Sequence, residues 1–275
     1  MPERDRPAGR PSVPRALTIA GSDSGGGAGI QADLRTFAVL GVWGMSAVTS
    51  VTVQNTQGVT DVSDVPADVV AAQIRAVATD IGVDAAKTGM LSSADIIEAV
   101  ADAVEEAGIP NLVVDPVFVS KHGDPLLRAD AVDALRKLVI PLATLVTPNL
   151  PEASGLAGFE VTTKEDMARA GDALLELGAQ AVLVKGGHLE GSRSDDLFVD
   201  GERSEWLAAM RIDTTDTHGT GCVLSSAIAA YLARGDDLWD AAGKGKEFVT
   251  EAIRHAVRIG GGLGPVNPGW RLMES

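Results

Sequence analysis

From Ala16 onward, short aliphatic and β-branched runs alternate with stretches of helical periodicity, and this alternation constrains the fold more than any other feature of the sequence. It is typical of βαβ units around a mainly parallel sheet flanked by helices, an α/β fold. The predicted strands are Leu17–Ala20, Ala47–Val53, Ala85–Lys87, Leu112–Val114, Leu145–Thr147 and Val182–Val184. The predicted helices are Ile30–Leu40, Ala67–Thr79, Ala94–Glu106, Ala129–Leu138 and Lys164–Leu177. Ligands of such sheets bind at the carboxyl ends of the strands, so the residues that follow each strand are candidates for chemistry.

The pattern changes after Lys185. Residues 196–209, DLFVDGERSEWLAA, contain two alternating runs about an Asp-Gly pair, which predicts a β-hairpin. Two helices are predicted near Thr220–Arg234 and Leu238–Val257. The hairpin adds antiparallel strands to an otherwise parallel sheet.

No shift in composition divides the rest of the chain. Residues 16–275 contain no Pro- or Ser-rich linker and no repeat, which predicts a single domain. Residues 1–15, MPERDRPAGRPSVPR, carry Pro and Arg without an apolar run, so we predict a disordered N-terminal leader rather than a secretory signal. The uncharged stretch 36–60 contains Gln, Asn, Gly, Ser and Thr, which fits a buried strand and turn rather than a membrane span.

The formal net charge of −15 repels nucleic-acid phosphates and anionic membranes, so neither is expected as a partner. An anionic ligand must therefore be held by local groups. The one cysteine excludes a disulfide within the chain, and the four histidines show no metal-ligand spacing with it. We expect a cytoplasmic protein that acts on a small molecule.

A glycine-rich segment, SGGGAGIQAD at residues 24–33, follows the first predicted strand and opens the first predicted helix. Its glycines allow a ligand to approach the backbone amides at a helix N-terminus, although a flexible turn explains them equally well. Neither G-x-G-x-x-G nor the P-loop pattern occurs in the chain. Asp23 and Asp33 flank the segment and could bind a substrate hydroxyl or amine. In the alternative interpretation, Asp23 forms a turn and Asp33 is an exposed helix residue.

Polar side chains follow several other strands. The amide of Gln54 in VTVQNTQG offers a donor and an acceptor together, which fits the edge of an aminopyrimidine-like ring, whereas its neighbour Asn55 suits a turn. Asp115 in NLVVDPV ends a buried strand, where a carboxylate has to be hydrated, paired or metal-bound.

A second group of polar residues follows later strands. Asn149 and Glu152 in VTPNLPEASGL supply oxygen ligands that suit Mg²⁺, or, for Glu152, charge at a helix N-terminus. Lys185 in VLVKGGH can neutralise phosphate, or lie in solvent.

The segment DTHGTGC, residues 216–222, runs from a polar loop into an amphipathic helix. Its small residues expose backbone amides that, together with the helix dipole, form an anion-binding cradle. The same field is expected to lower the pKa of the Cys222 thiol, whereas a small buried side chain is the commoner role of an unpaired cysteine.

Taken together, these segments resemble the hydroxymethylpyrimidine/phosphomethylpyrimidine kinases, a family of the ribokinase-like superfamily. The resemblance extends from about Ala16 to Pro265, and its motifs occur in family order. They are ALTIAGSDSGGGAGIQAD, VTVQNTQGV, KTGML, VVDPV, HGDPLL, TPNLPEA, VLVKGGH and HGTGC. The resemblance implies a three-layer sandwich that transfers phosphoryl groups from MgATP. The acceptors are 4-amino-5-hydroxymethyl-2-methylpyrimidine and then its monophosphate, and the diphosphate serves thiamine biosynthesis.

The resemblance also implies roles for individual residues. Gln54 pairs with the aminopyrimidine edge, and Cys222 is the base. Further pocket residues are Asp23, Ala28, Asp33, Met90 and Val117. ATP and its phosphates are bound by Asn149, Glu152, Lys185 and Thr217, with Asp115 and Glu152 as the magnesium ligands. The amides of Gly219, Thr220 and Gly221 hold the charge of the transferring phosphoryl group.

Two other functions stay open at this point. Pyridoxal and pyridoxine kinases share the fold, and some bacterial members share the cysteine, so vitamin B6 substrates fit as well. A non-catalytic sensor of a pyrimidine or nucleotide is a further alternative. The candidates for a base and for metal carboxylates argue against it, because a sensor needs neither. The resemblance also suggests a homodimer and allows for a monovalent cation.

Overall fold

A computed structural model describes residues 13–120, 123, 126 and 131–273. Within these residues, nine strands form one sheet in the order β3-β2-β1-β4-β5-β6-β7-β8-β9. They are β1 (Arg15–Ser22), β2 (Trp43–Asn55), β3 (Gly58–Asp64), β4 (Ala85–Thr88), β5 (Leu112–Val114), β6 (Leu145–Val146), β7 (Ala181–Val184), β8 (Asp196–Asp200) and β9 (Ser204–Leu207). The strands from β2 to β7 in this order pair in parallel, whereas β3, β8 and β9 pair antiparallel. The predicted mainly parallel sheet and C-terminal hairpin are therefore confirmed.

Helices cover both faces of this sheet and make the three-layer sandwich. They are α1 (Gly29–Val39), α2 (Ala67–Asp80), α3 (Ala94–Ala107), α4 (Ala131–Ala134), α5 (Leu150–Ala157), α6 (Lys164–Glu176), α7 (Thr220–Ala233) and α8 (Leu238–Arg254). One buried layer is formed with α1, α7 and α8, and the other with α2 to α6. Side chains of a strand alternate between the layers, as in β5, where Val113 faces the first and both neighbours face the second.

Helix α7 differs from the others because it is buried on nearly every side. Nine of its fourteen residues are buried, and it packs against α1, α8 and the central strands. It follows Gly219, whose φ of +80° suits glycine, and it has no side-chain cap. By contrast, α5 begins with a capping box in which Asn149 and Glu152 bond each other's backbone N–H groups.

Three predicted boundaries differ from the structure. Arg15, assigned to the leader, starts β1 and ion-pairs with Asp84, while residues 1–12 lie outside the described residues. The helix predicted from Ala129, itself outside the described residues, is only α4 followed by a π-helical turn at Leu135–Val139. The last helix ends at Arg254 rather than at Val257.

Strand β3 is an addition that the sequence pattern did not predict. Its residues are exposed or half-buried at the edge of the sheet, so they carry no apolar run.

Among the described residues, no helix combines the length and the apolar character that a bilayer crossing requires.

Candidate active site

A cavity of about 560 Å³ opens at the carboxyl ends of the central parallel strands, beside the start of α7. It brings together fourteen of the fifteen residues that the sequence assigns to a site. These are Asp23, Ala28, Gln54, Met90, Asp115, Val117, Asn149, Glu152, Lys185, Thr217, Gly219, Thr220, Gly221 and Cys222. Parallel strands collect residues from distant parts of the sequence at one edge of the sheet, which is why residues at strand ends meet in this cavity.

The structure does not bring Asp33 into the cavity wall. Its carboxylate is fully buried within α1, where it accepts a hydrogen bond of 2.6 Å from the hydroxyl of Thr18. It also lies 3.0 Å from Nζ of Lys87, which is likewise fully buried. Asp33 therefore supports the floor of the cavity through an ion pair and is not an exposed helix residue.

Lys87 lines the cavity but was not among the predicted site residues. It lies in the short apolar strand β4, and nothing in the surrounding residues indicates a charged partner. Burial opposes the charge of this ammonium group, but Asp33 outweighs burial and raises the pKa of Lys87 above its usual range. A buried, permanently positive group thus lies under the cavity.

A second buried ion cluster forms the end of the cavity nearest to α7. Nζ of Lys185 lies 2.9 Å from Oδ1 of Asp115 and 3.7 Å from Oε2 of Glu152. Burial, together with the neighbouring Asp115, raises the pKa of Glu152 to about 7, although Lys185 acts in the opposite direction. Two carboxylates share one ammonium group, so the cluster has an excess of negative charge that a cation can balance.

The Gly-Thr-Gly turn approaches this cluster and the glycine loop closely. A Cβ on Gly219 would overlap the carbonyl oxygen of Gly27. A Cβ on Gly221 would lie 3.3 Å from both Asp115 and Lys185. The start of α7 therefore directs its uncapped N-terminus at the space beside the ion cluster, as expected of an anion-binding cradle.

Cys222 lies in the first turn of α7 and is half-buried. The prediction that the helix N-terminus lowers its pKa is contradicted. Burial, aided by the nearby carboxylates of Asp33 and Asp115, raises the pKa of Cys222 to about 11. The positive charge of Lys87 only reduces this shift. Near neutral pH the side chain is therefore a thiol, and the thiolate is a minor species.

Gln54 and the glycine loop form another part of the cavity wall, in contact with the residues that lead into α7. Asp23 accepts hydrogen bonds from the backbone amides of Gly25, Gly27 and Ala28 at 2.8 to 3.0 Å. It also lies 2.9 Å from Nε2 of His218. Asp23 therefore shapes the loop and holds His218, rather than presenting a free carboxylate to the cavity.

Comparison with known proteins adds to this geometry. The sequence matches the model of the phosphomethylpyrimidine kinase family over residues 23–267. The chain belongs to this family. A hydroxymethylpyrimidine/phosphomethylpyrimidine kinase of Mycobacterium tuberculosis is 56% identical over 262 residues, which cover 94% of this chain and 95% of the relative.

Two solved structures resemble this member of the phosphomethylpyrimidine kinase family over most of its length. A pyridoxal kinase of Bacillus subtilis, in complex with ADP, has a TM-score of 0.89 at 43% identity and covers 95% of this chain and 100% of its own. A phosphomethylpyrimidine kinase of Clostridium difficile has a TM-score of 0.78 at 43% identity and covers 88% and 100% respectively. The predicted family and ribokinase-like fold are therefore confirmed.

The motifs of the family that surround the cavity are described to different extents. Of HGDPLL, residues 122–127, the structure describes Gly123 and Leu126, which both line the cavity. The remaining residues of this motif lie outside the described residues. His218, which precedes the Gly-Thr-Gly turn, belongs to the HGTGC motif, but the sequence assigned it no role in the site.

One further part of the cavity wall was not predicted for this family member. It is apolar and comes from the segment after β9 and from α8. Its residues are Met210, Ile212, Val249 and Ile253. Beside them, Nζ of Lys246 bonds Oδ2 of Asp196 at 2.8 Å. These positions follow no strand of the parallel sheet, so the strand-end rule did not find them.

Proposed function

We propose that the chain is an ATP-dependent kinase that phosphorylates 4-amino-5-hydroxymethyl-2-methylpyrimidine and then its monophosphate. The product is the pyrimidine diphosphate, and the pathway is thiamine biosynthesis. One observation carries this proposal: in a single cavity the start of α7 contacts both the ion cluster, through Gly221, and the glycine loop beside Gln54, through Gly219. A phosphoryl donor bound at the ion cluster and a pyrimidine acceptor bound at Gln54 meet at the start of α7.

Phosphoryl transfer depends mainly on positioning and on neutralising charge. Lys185 and the amides at Gly219, Thr220 and Gly221 bind the transferring group, with Asn149 and Thr217 beside them. The apolar wall that includes Ile212 and Val249 takes the adenine ring, since it offers apolar contact within the same cavity.

Acceptor activation differs between the two steps. The hydroxymethyl group loses its proton to the thiolate form of Cys222, which becomes a thiol, as the hydroxymethyl oxygen attacks the γ-phosphorus and ADP leaves. In the second step the attacking atom is a phosphate oxygen that is already anionic, so no base is needed. Met90, Val117 and Ala28 close the pocket around the ring.

Magnesium fits the ion cluster by its donor set. Asp115 and Glu152 provide two carboxylates against the single positive charge of Lys185, and Mg²⁺ in kinases is commonly held by one or two carboxylates, water and substrate phosphates. Among the described residues there is no group of three or more metal-ligating side chains. When bound, it supplies charge neutralisation at the phosphates.

A second candidate substrate is pyridoxal. The similarity to the pyridoxal kinase of Bacillus subtilis favours it, because that protein shares the fold at 43% identity. The aminopyrimidine remains the first choice because Gln54 offers a donor and an acceptor to the ring edge.

We also propose a homodimer, which light scattering of the purified chain tests.

An assay coupled to ADP release decides between the substrates. The pyrimidine alcohol, its monophosphate and pyridoxal are compared at equal MgATP concentration. We expect the highest kcat/KM for the two pyrimidines. A higher kcat/KM for pyridoxal would replace the proposal by the second candidate, and tight ligand binding without ADP release would favour a sensor.

A further inference from the structure

His218 lies between the glycine loop and Gln54, in the part of the cavity wall where we place the pyrimidine. Its ring packs against Gly27 and is only 7% exposed. Nε2 of His218 lies 2.9 Å from Oδ2 of Asp23 and 3.4 Å from Nε2 of Gln54. One ring nitrogen therefore faces two polar side chains.

Counting donors locates the proton on this ring. Although burial acts to raise it, the pKa of Asp23 is lowered by His218 and by the backbone amides of the glycine loop, so Asp23 is a carboxylate. A carboxylate only accepts hydrogen bonds, and therefore Nε2 of His218 carries the hydrogen. Nδ1 is buried without a partner among the described residues, and an unpaired acceptor is tolerated better than an unpaired N–H. Nδ1 therefore carries none.

The amide of Gln54 has to match this donor. With its nitrogen toward His218, the N–H donors of the Gln54 amide face the N–H donor at Nε2 of His218, and neither finds an acceptor there. Its oxygen, 3.2 Å from the hydroxyl of Thr52, then competes for a single proton with the carbonyl of Ser22, which lies 2.7 Å from the same hydroxyl. Turning the amide over removes the contact of N–H against N–H and the competition at Thr52, because the nitrogen then donates to Thr52 and the oxygen shares the Nε2 hydrogen of His218 with the carboxylate of Asp23.

We propose that His218, anchored by Asp23, is a positioning residue that holds the oxygen of the Gln54 amide toward itself. It thereby selects a ring that carries an amino group next to a ring nitrogen. This inference rests on the proposed function and names the group that makes the site specific for an aminopyrimidine. The substrate amino group donates to the amide oxygen, and the adjacent ring nitrogen accepts from the amide nitrogen.

The orientation of the amide also orients the substrate. In 4-amino-5-hydroxymethyl-2-methylpyrimidine, the hydroxymethyl group is next to the amino group, on the side away from N3. With the amino group on the side of His218, the hydroxymethyl group extends toward Gly219–Cys222, where transfer takes place. A 4-oxo ring presents its acceptor and its N–H in the opposite order, so the held amide rejects it.

The test compares the 4-amino alcohol with its 4-oxo analogue, 5-hydroxymethyl-2-methylpyrimidin-4(3H)-one, by ADP release. We expect the wild-type enzyme to prefer the amino compound at least ~100-fold in kcat/KM, because a site built to hydrogen-bond one pattern leaves polar groups unpaired with the other. In His218→Phe the amide is free to turn, so this preference should fall at least ~10-fold. In His218→Gln, whose terminal amide still supplies N–H donors to both neighbours, the preference should stay within about threefold of wild type.

A purely structural role of His218 would lower the rates with both compounds and leave their ratio unchanged. An active His218→Phe enzyme with the wild-type ratio would therefore overturn the inference alone. Turnover of pyridoxal by the wild type, with neither pyrimidine alcohol accepted, would overturn the proposed function and this inference with it. Should His218→Phe not fold, Thr52→Val is used in its place. Loss of the hydroxyl should lower the ratio, whereas Thr52→Ser should keep it.

Discussion

Replacing Cys222 by alanine should separate the two phosphorylations. A general base contributes about 10²- to 10⁴-fold where a proton has to be removed. We therefore expect Cys222→Ala to lower kcat/KM for the pyrimidine alcohol by about that factor. The monophosphate attacks through an oxygen that is already anionic, so its loss should stay below about tenfold. The two reactions are measured separately, each from its own starting compound, by ADP release and by phosphorus NMR of the product.

The pH dependence follows from the raised pKa of this thiol. With the pKa of Cys222 raised to about 11, only about one molecule in 10³ carries a thiolate at pH 8. For the alcohol, kcat/KM of the wild type should rise about tenfold per pH unit from pH 7 to 10, whereas Cys222→Ala should show no such rise. The rate of alkylation by iodoacetamide should rise in parallel.

Two results would refute this reasoning. Equal losses for the alcohol and the monophosphate would show that Cys222 packs against the ligand instead of accepting a proton. An alkylation curve that levels off near pH 7 to 8 would show that the helix N-terminus outweighs burial, contrary to the surroundings of the thiol in α7. Cys222→Ser serves as the control of similar size, since it keeps a polar atom at the same position.

Three further predictions concern the packing and the charges. Lys87→Met leaves Asp33 as an unpaired buried charge and should lower the free energy of urea unfolding by about 3–5 kcal/mol, whereas adding Asp33→Asn should restore part of it. Gly243→Ala in α8 meets only open space and should raise the stability by about 0.5–1 kcal/mol, whereas Gly245→Ala contacts α7 and should lower it. The raised pKa of Glu152 means that its protonated form stabilises the protein in acid and that this contribution is lost as the pH rises from about 4.5 to about 7. Thermal unfolding should show this loss in the wild type and not in Glu152→Gln, and an identical pH profile in both would contradict it.

The parallel part of the fold and part of the cavity wall could be predicted, because the strands follow from local pattern and the residues at strand ends follow from the topology. Aliphatic runs locate the strands, and the topology then brings residues such as Gln54 and Asp115 to one sheet edge whatever their separation in the chain. Edge strand β3 was not predicted, because its exposed residues show no apolar pattern. The π-helical turn after α4 has no signal that distinguishes it from an ordinary helix.

The sequence does not show which charged and polar side chains pair with each other in the folded chain. Lys87 pairs with Asp33 and His218 pairs with Asp23, across 54 and 195 positions respectively, and no local feature connects the members of either pair. The pKa of Cys222 was predicted in the wrong direction for the same reason. The helix N-terminus is visible in the sequence, but burial and the surrounding carboxylates appear only once the chain is folded.

The burial of α7 has a consequence for how one cavity serves two acceptors. Because packing on nearly every side fixes this helix, the backbone amides at its start, which bind the transferring phosphate, occupy the same position in both reactions. The monophosphate is longer than the alcohol by one phosphate group, and its attacking oxygen has to reach the same point. The ring therefore has to bind further back in the second reaction than in the first. If the ring binds at Gln54 as proposed, the difference in length between the two substrates is accommodated there, and the contacts around Gln54 are the ones that change between the two reactions.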